Sequence, residues 1–337
     1  MQRKGRNTII LSGSTGIRAS AGIGATAESK GPLADDFDYL FDDDRIGCET
    51  WEKAESALHK KAVETAISKA GLTARDIDLI FAGDLLNQCT GSTFGIRDMG
   101  IPFAGMYGAC STMVLSLITA AVFADSGAVK NAVASTSSHF CSAEKQFRFP
   151  LEYGGQRTPT AQRTATAAGA AVVQSGIKNG IIINKVHDGR IQDLGITDAN
   201  NMGAAMAPAA ADSIAGFLRD TGTKPQDYDL ILTGDLGFVG SELLIELLQK
   251  REGIDISAVH NDCGKMIFYR EAQDVHAGGS GCGCMGSVLC SHIMKRMRKG
   301  EFRRVLAVAT GALMSPVSTM QNESIPGIAH AVELNLI

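Results

Sequence analysis

The segment at residues 74–86, ARDIDLIFAGDLL, returns in the second half of the 337-residue chain as PQDYDLILTGDLG at residues 225–237. Both copies contain Asp-x-Asp, an apolar stretch typical of a buried strand, and the tripeptide Gly-Asp-Leu. Asp84 and Asp235 are matched at a spacing of 151 residues, and every other matched pair keeps that spacing. The match therefore has no gap, and it indicates an internal duplication.

Similar elements surround the two copies. Apolar and small residues at helical spacing predict a helix before each copy, over 51–72 and over 203–222. After the copies come Cys110, with a predicted helix over 112–125, and Cys282, with a predicted helix over 285–298. The two cysteines are 172 residues apart, so the second half carries 21 extra residues between its blocks.

Strands that alternate with helices in two similar halves predict an α/β fold whose strands are mostly parallel. We place the first half at residues 1–175, which carry Cys110, and the second at residues 176–337, which carry a glycine-rich loop at 277–284. Ligand sites in such folds collect where strand ends and helix starts meet. Cys110 and the glycine-rich loop are therefore expected to lie close together.

The composition excludes some classes of function. The chain is 45% hydrophobic and 20% charged, and its formal net charge is −4. Together with the absence of a basic stripe that contains aromatic residues, this argues against a nucleic-acid partner. The apolar run near the N-terminus is too short for a signal peptide, and no run reaches the ~20 apolar residues that span a bilayer. We expect an intracellular protein, soluble or peripheral to a membrane, with reduced cysteines.

Several separated blocks carry a resemblance that covers nearly the whole chain. They include GACST at 108–112, SSHFCSAEKQFRFPLEYGGQ at 137–156, GITDANNMGAAMAPAAAD at 195–212 and AGGSGC at 277–282. In these blocks the chain resembles the stage V sporulation protein AD family of the thiolase superfamily. The resemblance implies duplicated β-α-β-α-β halves that form a layered α-β-α-β-α sandwich.

The resemblance also implies a function in sporulation and spore germination. It implies a component of the apparatus that moves dipicolinic acid (pyridine-2,6-dicarboxylate) into the developing spore, one that binds dipicolinate without catalysing a reaction. It further implies a homodimer, contact with membrane-embedded subunits of the same transport system, and a location at the forespore or spore inner membrane. It implies no cofactor, and it leaves open whether Ca²⁺ accompanies the ligand.

Cys110 supports an alternative, an acyltransferase or condensing enzyme of the thiolase or ketoacyl-synthase type. A helix N-terminus lowers the pKa of a cysteine and prepares the thiolate for acyl transfer. Such an enzyme also needs a base or proton donor, and the active relatives that the chain resembles supply histidine. The loops at 234–237 and 277–281 contain none, so His139 or His276 would have to serve. We favour binding over catalysis and do not rank the two histidines.

A dipicolinate site requires a flat slot with converging hydrogen-bond donors. The amides that follow Cys110 and those of the glycine-rich loop are expected to receive the carboxylates, because helix N-termini and backbone nests bind anions. The expected ligand-binding residues are Cys110, Ser111, Ser137, Ser138, His139, Arg148, Arg157, Gly278, Gly279, Ser280, Gly281 and Cys282. For each type a structural alternative stays open: glycines that permit close packing, serines that cap backbone, a core histidine and surface arginines.

No metal site is expected. Cys282 and Cys284 do not form a C-x-x-C pair, and a helix from about residue 284 would direct Cys290 away from Cys282. The acidic run at 34–45 lacks the spacing of an EF-hand, which favours a solvated or subunit-facing loop. Asp84 and Asp235 are expected to accept hydrogen bonds from loop amides.

Overall fold

The computed structural model of the protein describes residues 1–147 and 157–337. The strands of the first half are β1 (Gln2–Lys4), β2 (Thr8–Ile10), β3 (Gly16–Gly24), β4 (Tyr39–Leu40), β5 (Leu79–Gly83), β6 (Phe103–Gly105), β7 (Asn131–Ser138), β8 (Arg163–Thr164) and β9 (Ala167–Gln174). Its helices are α1 (Trp51–Lys69), α2 (Thr90–Ile96), α3 (Thr112–Asp125) and α4 (Phe140–Phe147).

The second half repeats this order of elements. Its strands are β10 (Ile181–His187), β11 (Leu230–Thr233), β12 (His260–Asp262), β13 (Gly279–Ser280), β14 (Arg304–Ala312) and β15 (Gly327–Leu336). Its helices are α5 (Met202–Thr221), α6 (Gly237–Glu252), α7 (Cys263–Met266), α8 (Cys282–Val288), α9 (Met294–Arg298) and α10 (Pro316–Met320), with a π-helical turn at Leu289–Ile293 between α8 and α9.

The duplication is visible in the sheet. Its main strand order is β12-β11-β14-β15-β10-β3-β9-β7-β5-β6. Read outward from the centre, each half has two antiparallel pairings followed by two parallel ones, β3-β9-β7-β5-β6 and β10-β15-β14-β11-β12. The halves join where β10 pairs antiparallel with β3, through Ile181 opposite Ile17 and Ile182 opposite Gly16. The matched segments that predicted the duplication are therefore β5 and β11.

Helices cover both faces of each half. α1 packs against β3, β7 and β9 on one outer face, and α5 packs against β14 and β15 on the other. α3 lies between the halves, because it contacts β5 and β7 on one side and β14 and β15 on the other, and α8 packs against β7 and β9 in the same layer. The predicted α-β-α-β-α sandwich is thus confirmed. The expectation of mostly parallel strands is wrong, because five of the nine pairings along the main strand order are antiparallel.

The central layer depends on small residues. A β-carbon on Gly169 of β9 would lie 2.0 Å from the carbonyl oxygen of Gly286 in α8, far closer than any real contact. The absence of a side chain at this position lets the helix backbone approach the strand. This explains why β9 is rich in alanine and glycine.

Helix boundaries follow the predictions in one half and depart from them in the other. α3 has the predicted bounds, but α8 begins at Cys282 rather than at residue 285. It starts there because Gly281 adopts a φ of 97°, which ends the preceding strand and turns the chain. The second half also contains α7 and β13 between β12 and α8, and β13 pairs with β8 of the first half. Across the described residues, no helix combines the length and apolar character required to cross a membrane.

Candidate functional site

Cys110 lies on a tight turn at the start of α3. Ala109 has a φ of 51°, in the left-handed region that residues other than glycine rarely occupy. The turn is held by Ser111, whose hydroxyl donates to the Gly108 carbonyl at 2.6 Å, and by Thr112, whose hydroxyl donates to the Ala109 carbonyl at 2.6 Å. The strained turn thereby presents Cys110 at the beginning of a buried helix.

Asp235 joins this turn to the glycine-rich loop. Its Oδ2 accepts hydrogen bonds from the Gly281 amide at 2.9 Å and from the Ser280 hydroxyl at 3.2 Å, and its Oδ1 accepts one from the Thr310 hydroxyl at 2.9 Å. The charge of the same carboxylate acts on the Cys110 thiol, whose pKa it raises. The structure therefore brings Cys110 and the loop together, as the sequence predicted.

A small cavity opens beside Cys110. It has a volume of about 30 Å³, which by size accommodates roughly two water molecules. The first half contributes Leu85, Tyr107, Ala109, Cys110, Glu144 and Thr164 to its wall, and the second half contributes Met202, Ser280, Ala312 and Met314. Of the predicted ligand-binding residues that the structure describes, Cys110 and Ser280 alone line this cavity.

The Cys110 thiol is electrostatically unlike an activated nucleophile. Only 5% of the residue is exposed. Burial is the largest cause that raises its thiol pKa well above the usual value, and the negative charge of Asp235 raises it further, while the Gly281 amide opposes them only in part. The expected depression of the pKa by the helix N-terminus is thus wrong, because burial and a neighbouring carboxylate outweigh it.

The two histidines considered as catalytic partners are occupied elsewhere. His139 Nδ1 accepts a hydrogen bond from the Cys141 amide at 3.1 Å, so Nε2 carries the proton and donates to the Asp44 carbonyl at 2.8 Å. His276 lies 3.1 Å from the Asp274 carboxylate. Neither histidine lines the Cys110 cavity. The His139 ring is directed toward the loop at Asp44, and its part in ligand binding stays a prediction.

The predicted serines serve the backbone and a buried network. Ser138 donates to the Ala165 carbonyl at 2.7 Å, and Ser137 donates to Glu55 at 3.3 Å and contacts His59 Nδ1 at 2.9 Å. Ser111 holds the turn described above. These contacts keep all three hydroxyls away from the cavity, so the structural alternative applies to each of them.

The amides of the glycine-rich loop do not form the expected anion nest. The Gly278 amide donates to the Val275 carbonyl at 2.9 Å, and the Gly281 amide donates to Asp235. Gly279 pairs with Arg163 in the short parallel ladder of β13 and β8. A β-carbon on Gly281 would lie 2.8 Å from the Ser138 hydroxyl. These glycines permit close packing, and a carboxylate of the protein itself takes the place predicted for a ligand anion.

The remaining predicted ligand-binding residues lie beside Cys110, away from the cavity, or outside the described residues. Cys282 is fully buried beside Cys110, and its thiol donates to the Ser137 carbonyl at 3.0 Å. Arg157 donates to the Asp274 carbonyl at 2.7 Å and does not line the cavity. Arg148 lies outside the described residues, and its role stays a prediction. Within residues 1–147 and 157–337, no cluster of histidine, cysteine and acidic side chains is arranged to hold a metal ion.

A buried polar network behind β7 was missed by sequence reasoning. Glu55 of α1 accepts a hydrogen bond from Ser142 at 2.5 Å, and His59, one turn further along α1, contacts Ser135 at 2.9 Å. Burial, followed by the charge of Asp84, raises the Glu55 pKa well above its usual value, and burial lowers the His59 pKa to about 3. The signal in the sequence was the pair of polar residues four positions apart on an otherwise apolar face of α1.

The duplicated aspartates have diverged in what they bind. Asp84 accepts hydrogen bonds from the Leu86 amide at 2.8 Å and the Ser92 amide at 2.7 Å. Asp235 instead accepts from the Gly281 amide and the Thr310 hydroxyl. The loop that follows Asp235 is held by Asp262, which accepts from the Leu236 amide at 2.9 Å. The duplication therefore marked Asp235 in the sequence. Its place at the site was missed, because only a structural role was predicted for it.

The comparison with known families follows from the whole chain. Residues 5–335 match the model of the family described as Stage V sporulation protein AD. The stage V sporulation protein AD of Bacillus subtilis (strain 168) is 45% identical over 332 residues, which cover 98% of this chain and 97% of that protein. The chain belongs to the stage V sporulation protein AD family. This membership gives it a role in sporulation.

Solved structures of other proteins resemble the fold of this chain. The 3-oxoacyl-[acyl-carrier-protein] synthase III of Aquifex aeolicus VF5 matches with a TM-score of 0.58 at 15% identity, covering 95% of this chain and 99% of that one. A variant of OleA from Xanthomonas campestris matches with a TM-score of 0.63 at 14% identity, covering 97% and 100%. At this level of identity the likeness shows the thiolase-like fold alone.

Proposed function

We propose that this chain is a non-catalytic dipicolinate-binding component of the stage V sporulation apparatus. In this proposal it captures dipicolinate beside Cys110 and passes it to membrane-embedded subunits of the same system. Family membership supports the sporulation context. The observation that carries the non-catalytic part is the burial of Cys110 near the negative charge of Asp235, which keeps the thiol protonated in a cavity whose described wall contains no histidine.

Asp235 is poorly suited to act as the base for Cys110. Burial raises the pKa of this carboxyl, but burial and the charge of Asp235 raise the Cys110 pKa well above an ordinary thiol. The proton therefore stays on sulfur, and its transfer to Asp235 is uphill. Acyl transfer requires the thiolate, so the geometry favours a binding role for Cys110.

The cavity offers hydroxyl donors for a carboxylate ligand. Among the described residues, the hydroxyls of Tyr107 and Thr164 have no hydrogen-bond partner, and both residues line the cavity. Burial raises the Tyr107 pKa to about 12, which keeps this hydroxyl protonated as a donor. In the proposal, Tyr107 and Thr164 receive the ligand's carboxyl groups while the ring lies between Met202 and Met314.

Dipicolinate must widen the cavity in order to fit, and it must bind close to negatively charged side chains. A volume of about 30 Å³ does not hold a pyridine ring with two carboxyl groups, so the flexible side chains of Met202 and Met314 have to move. Glu144 lines the space, and the charge of Asp235 acts on Cys110 in its wall. Because carboxylates repel a dianion, we propose that dipicolinate binds with its charge reduced by a proton or by Ca²⁺.

We further propose a homodimer formed along β6. Among residues 1–147 and 157–337 this strand pairs with β5 alone and ends the sheet, and an unpaired edge is a surface for pairing with another chain. Phe94, Phe103 and Tyr107 are 53%, 37% and 49% exposed around this edge. Since Tyr107 also lines the Cys110 cavity, a second copy on this edge would cover the mouth of the site.

Calorimetric titration of the purified chain with dipicolinate, with and without Ca²⁺, tests the binding function. We expect saturable binding that weakens in Thr164→Val and in Cys110→Ala and is absent for benzoate, which has one carboxyl group. Cys290→Ala is the matched control, because it removes a buried thiol that does not line the cavity. No saturable heat at millimolar dipicolinate in either condition would exclude the proposal for the isolated chain.

The alternative, an acyltransferase or condensing enzyme, is favoured by one observation, the strained turn that presents Cys110 at the helix start. Mass spectrometry after incubation with acyl-CoA tests it directly. The binding proposal predicts no acyl adduct on Cys110. A stoichiometric adduct that disappears in Cys110→Ala would establish the enzyme instead.

A further inference from the structure

A second recess lies at the far end of α5 from the Cys110 cavity. Met202, at the start of α5, lines the Cys110 cavity, whereas Gly216, Arg219 and Asp220, near its end, line the recess. At 1.5 Å per residue, the two sites are about 25 Å apart along the helix. The recess has a volume of about 230 Å³. It is therefore separate from the site of the proposed function.

His187, the last residue of β10, forms the floor of the recess. It is 98% buried, with only 2% of its surface exposed. Its Nδ1 lies 2.8 Å from the Thr8 hydroxyl, and that hydroxyl donates to Asp220 Oδ2 at 2.8 Å. Because the Thr8 proton is directed at Asp220, Nδ1 must carry the imidazole proton and donate to Thr8. Nε2 is then a bare acceptor, and it has no hydrogen-bond partner among the described residues.

A glycine leaves this imidazole open to the recess. A β-carbon on Gly216 would lie 3.2 Å from His187 Cε1 and 3.5 Å from Nε2. Any side chain at this position of α5 would therefore cover the edge of the ring that carries the free nitrogen. Glycine lowers the intrinsic stability of α5 at this position, because it is a poor helix former. It leaves Nε2 of His187 accessible from the recess.

The rim of the recess carries cations without partners. Arg6 and Arg219 line it, and within the described residues neither guanidinium makes a hydrogen bond or an ion pair. Arg190 also lines it, paired with Asp212. With Asp220 engaged by Thr8, the rim offers two free guanidinium groups. Guanidinium groups bind carboxylate and phosphate oxygens through paired hydrogen bonds.

We propose that this recess binds a soluble phosphate or phosphomonoester that carries one proton. Its unprotonated oxygens accept from Arg6 and Arg219, and its protonated oxygen donates to Nε2 of His187. A hydrogen phosphate group matches both demands, because it is an anion with one hydroxyl donor. Sulfate has the same shape and charge but carries no proton near neutral pH, so it leaves Nε2 without a donor.

The electrostatics of His187 suit an acceptor. Burial lowers its pKa to about 4, so the ring is neutral near neutral pH. The charged and titratable groups that act on it are Asp220 and Asp212 of α5, which oppose the effect of burial, Arg190 in the loop after β10, which adds to it, and His330 of β15. A neutral ring accepts one hydrogen bond at Nε2 and repels no arginine.

Calorimetric titration of the full chain with inorganic phosphate and with sulfate at neutral pH tests this site. We expect saturable phosphate binding and an affinity for sulfate that is about tenfold lower, the cost of an unmade hydrogen bond in a buried site. Arg219→Gln should weaken phosphate binding about tenfold by removing a charged donor. Arg251→Gln, an exposed arginine on α6 outside the recess, should leave it unchanged.

Gly216→Val gives an independent test, because it should abolish phosphate binding by covering His187. Its thermal unfolding without phosphate establishes that the variant folds, and Arg219→Gln decides the question if it does not. The proposal is overturned by the absence of saturable phosphate binding, by equal affinities for phosphate and sulfate, or by binding that both variants leave intact. Cosedimentation with phosphatidate vesicles that phosphate does not displace would overturn the assignment to a soluble ligand.

Discussion

The carboxylate of Asp235, in the second half of the chain, raises the pKa of the Cys110 thiol, in the first half. Asp235 also holds the Gly281 amide at 2.9 Å, so one side chain acts on both the cysteine and the glycine-rich loop. The same negative charge that organises the site suppresses the reactivity of its thiol. Asp235 therefore both organises the site and keeps the Cys110 thiol unreactive.

Replacement of Asp235 by asparagine should make Cys110 more reactive. Asparagine keeps an oxygen for the Gly281 amide but removes the charge that raises the thiol pKa. We expect iodoacetamide to modify Cys110 about tenfold faster, which corresponds to a fall of about one pKa unit, as measured by peptide mass spectrometry. Asp84→Asn is the matched control, since Asp84 is the duplicate of Asp235 but accepts its hydrogen bonds within the first half. Equal rates in all three proteins would contradict the electrostatic account.

Replacement of Glu144 by glutamine should strengthen dipicolinate binding. The substitution keeps an oxygen to accept from the Thr164 amide, which Glu144 Oε1 accepts at 3.1 Å, and it removes a negative charge from the cavity wall. We expect about tenfold tighter binding near neutral pH, on the scale of one nearby charge at a partly buried site, measured by calorimetry. Glu64→Gln on the surface of α1 should change nothing. Weaker binding in Glu144→Gln would show that the carboxylate itself contacts the ligand.

Glu28 should make stability fall as pH rises. Burial raises its pKa to about 7, although the Thr166 and Ala25 amides oppose that shift. The native state therefore holds a proton that the unfolded state releases near pH 4.5, and the free energy of unfolding decreases between about pH 4.5 and 7 from this group. In Glu28→Gln this contribution is lost. Urea unfolding at about pH 5 and about pH 8 should show the deficit of the variant shrinking as pH rises. A constant deficit would mean that Glu28 stays protonated or ionised throughout.

Replacement of Gly169 by alanine should destabilise the central layer strongly. Its β-carbon would lie 2.0 Å from the Gly286 carbonyl, and both backbones are fixed within the core. We expect a loss of about 3 kcal/mol or more in the free energy of unfolding, measured in urea. Gly105→Ala, where the nearest atom is 3.5 Å away, is the control and should unfold close to the wild type. A loss below about 1 kcal/mol in Gly169→Ala would mean that α8 shifts freely over β9.

Replacement of Phe103 by aspartate should separate the proposed dimer. An aspartate on β6 places charge on the strand edge that would pair with a second copy. Analytical ultracentrifugation should show a dimeric wild type and a monomeric variant. Tyr269→Asp changes an aromatic residue that is 53% exposed elsewhere and should leave the dimer intact. A wild type that sediments as a monomer would remove the dimer from the proposal.

The sequence predicted the fold well because the fold depends on local patterns and on a duplication. The bounds of α3 follow from a continuous apolar stretch, and β5 and β11 follow from the matched segments. The start of α8 was placed three residues late, since glycines at 281, 283 and 286 hide the point where the helix begins. Gly281 is both the last residue before the helix and a loop amide that Asp235 requires.

The site was predicted less well because its hydrogen bonds join distant parts of the chain. The Nε2–H of His139 donates to a carbonyl 95 residues away, and Ser137 reaches a histidine 78 residues away. No local pattern in the sequence indicates either partner. The donors expected to hold a ligand anion were instead satisfied by Asp235, a residue that the duplication had singled out without showing which amide and which thiol it would meet.

The continuous sheet determines how the Cys110 cavity can open. Main-chain hydrogen bonds fasten β3 to β10, β13 is fastened to β8, and α3 is wedged against strands of both halves. The two halves cannot separate by a hinge motion without breaking these main-chain hydrogen bonds. A molecule therefore enters the cavity through rotation of the side chains of Tyr107, Met202 and Met314. The two halves of the chain keep their relative positions.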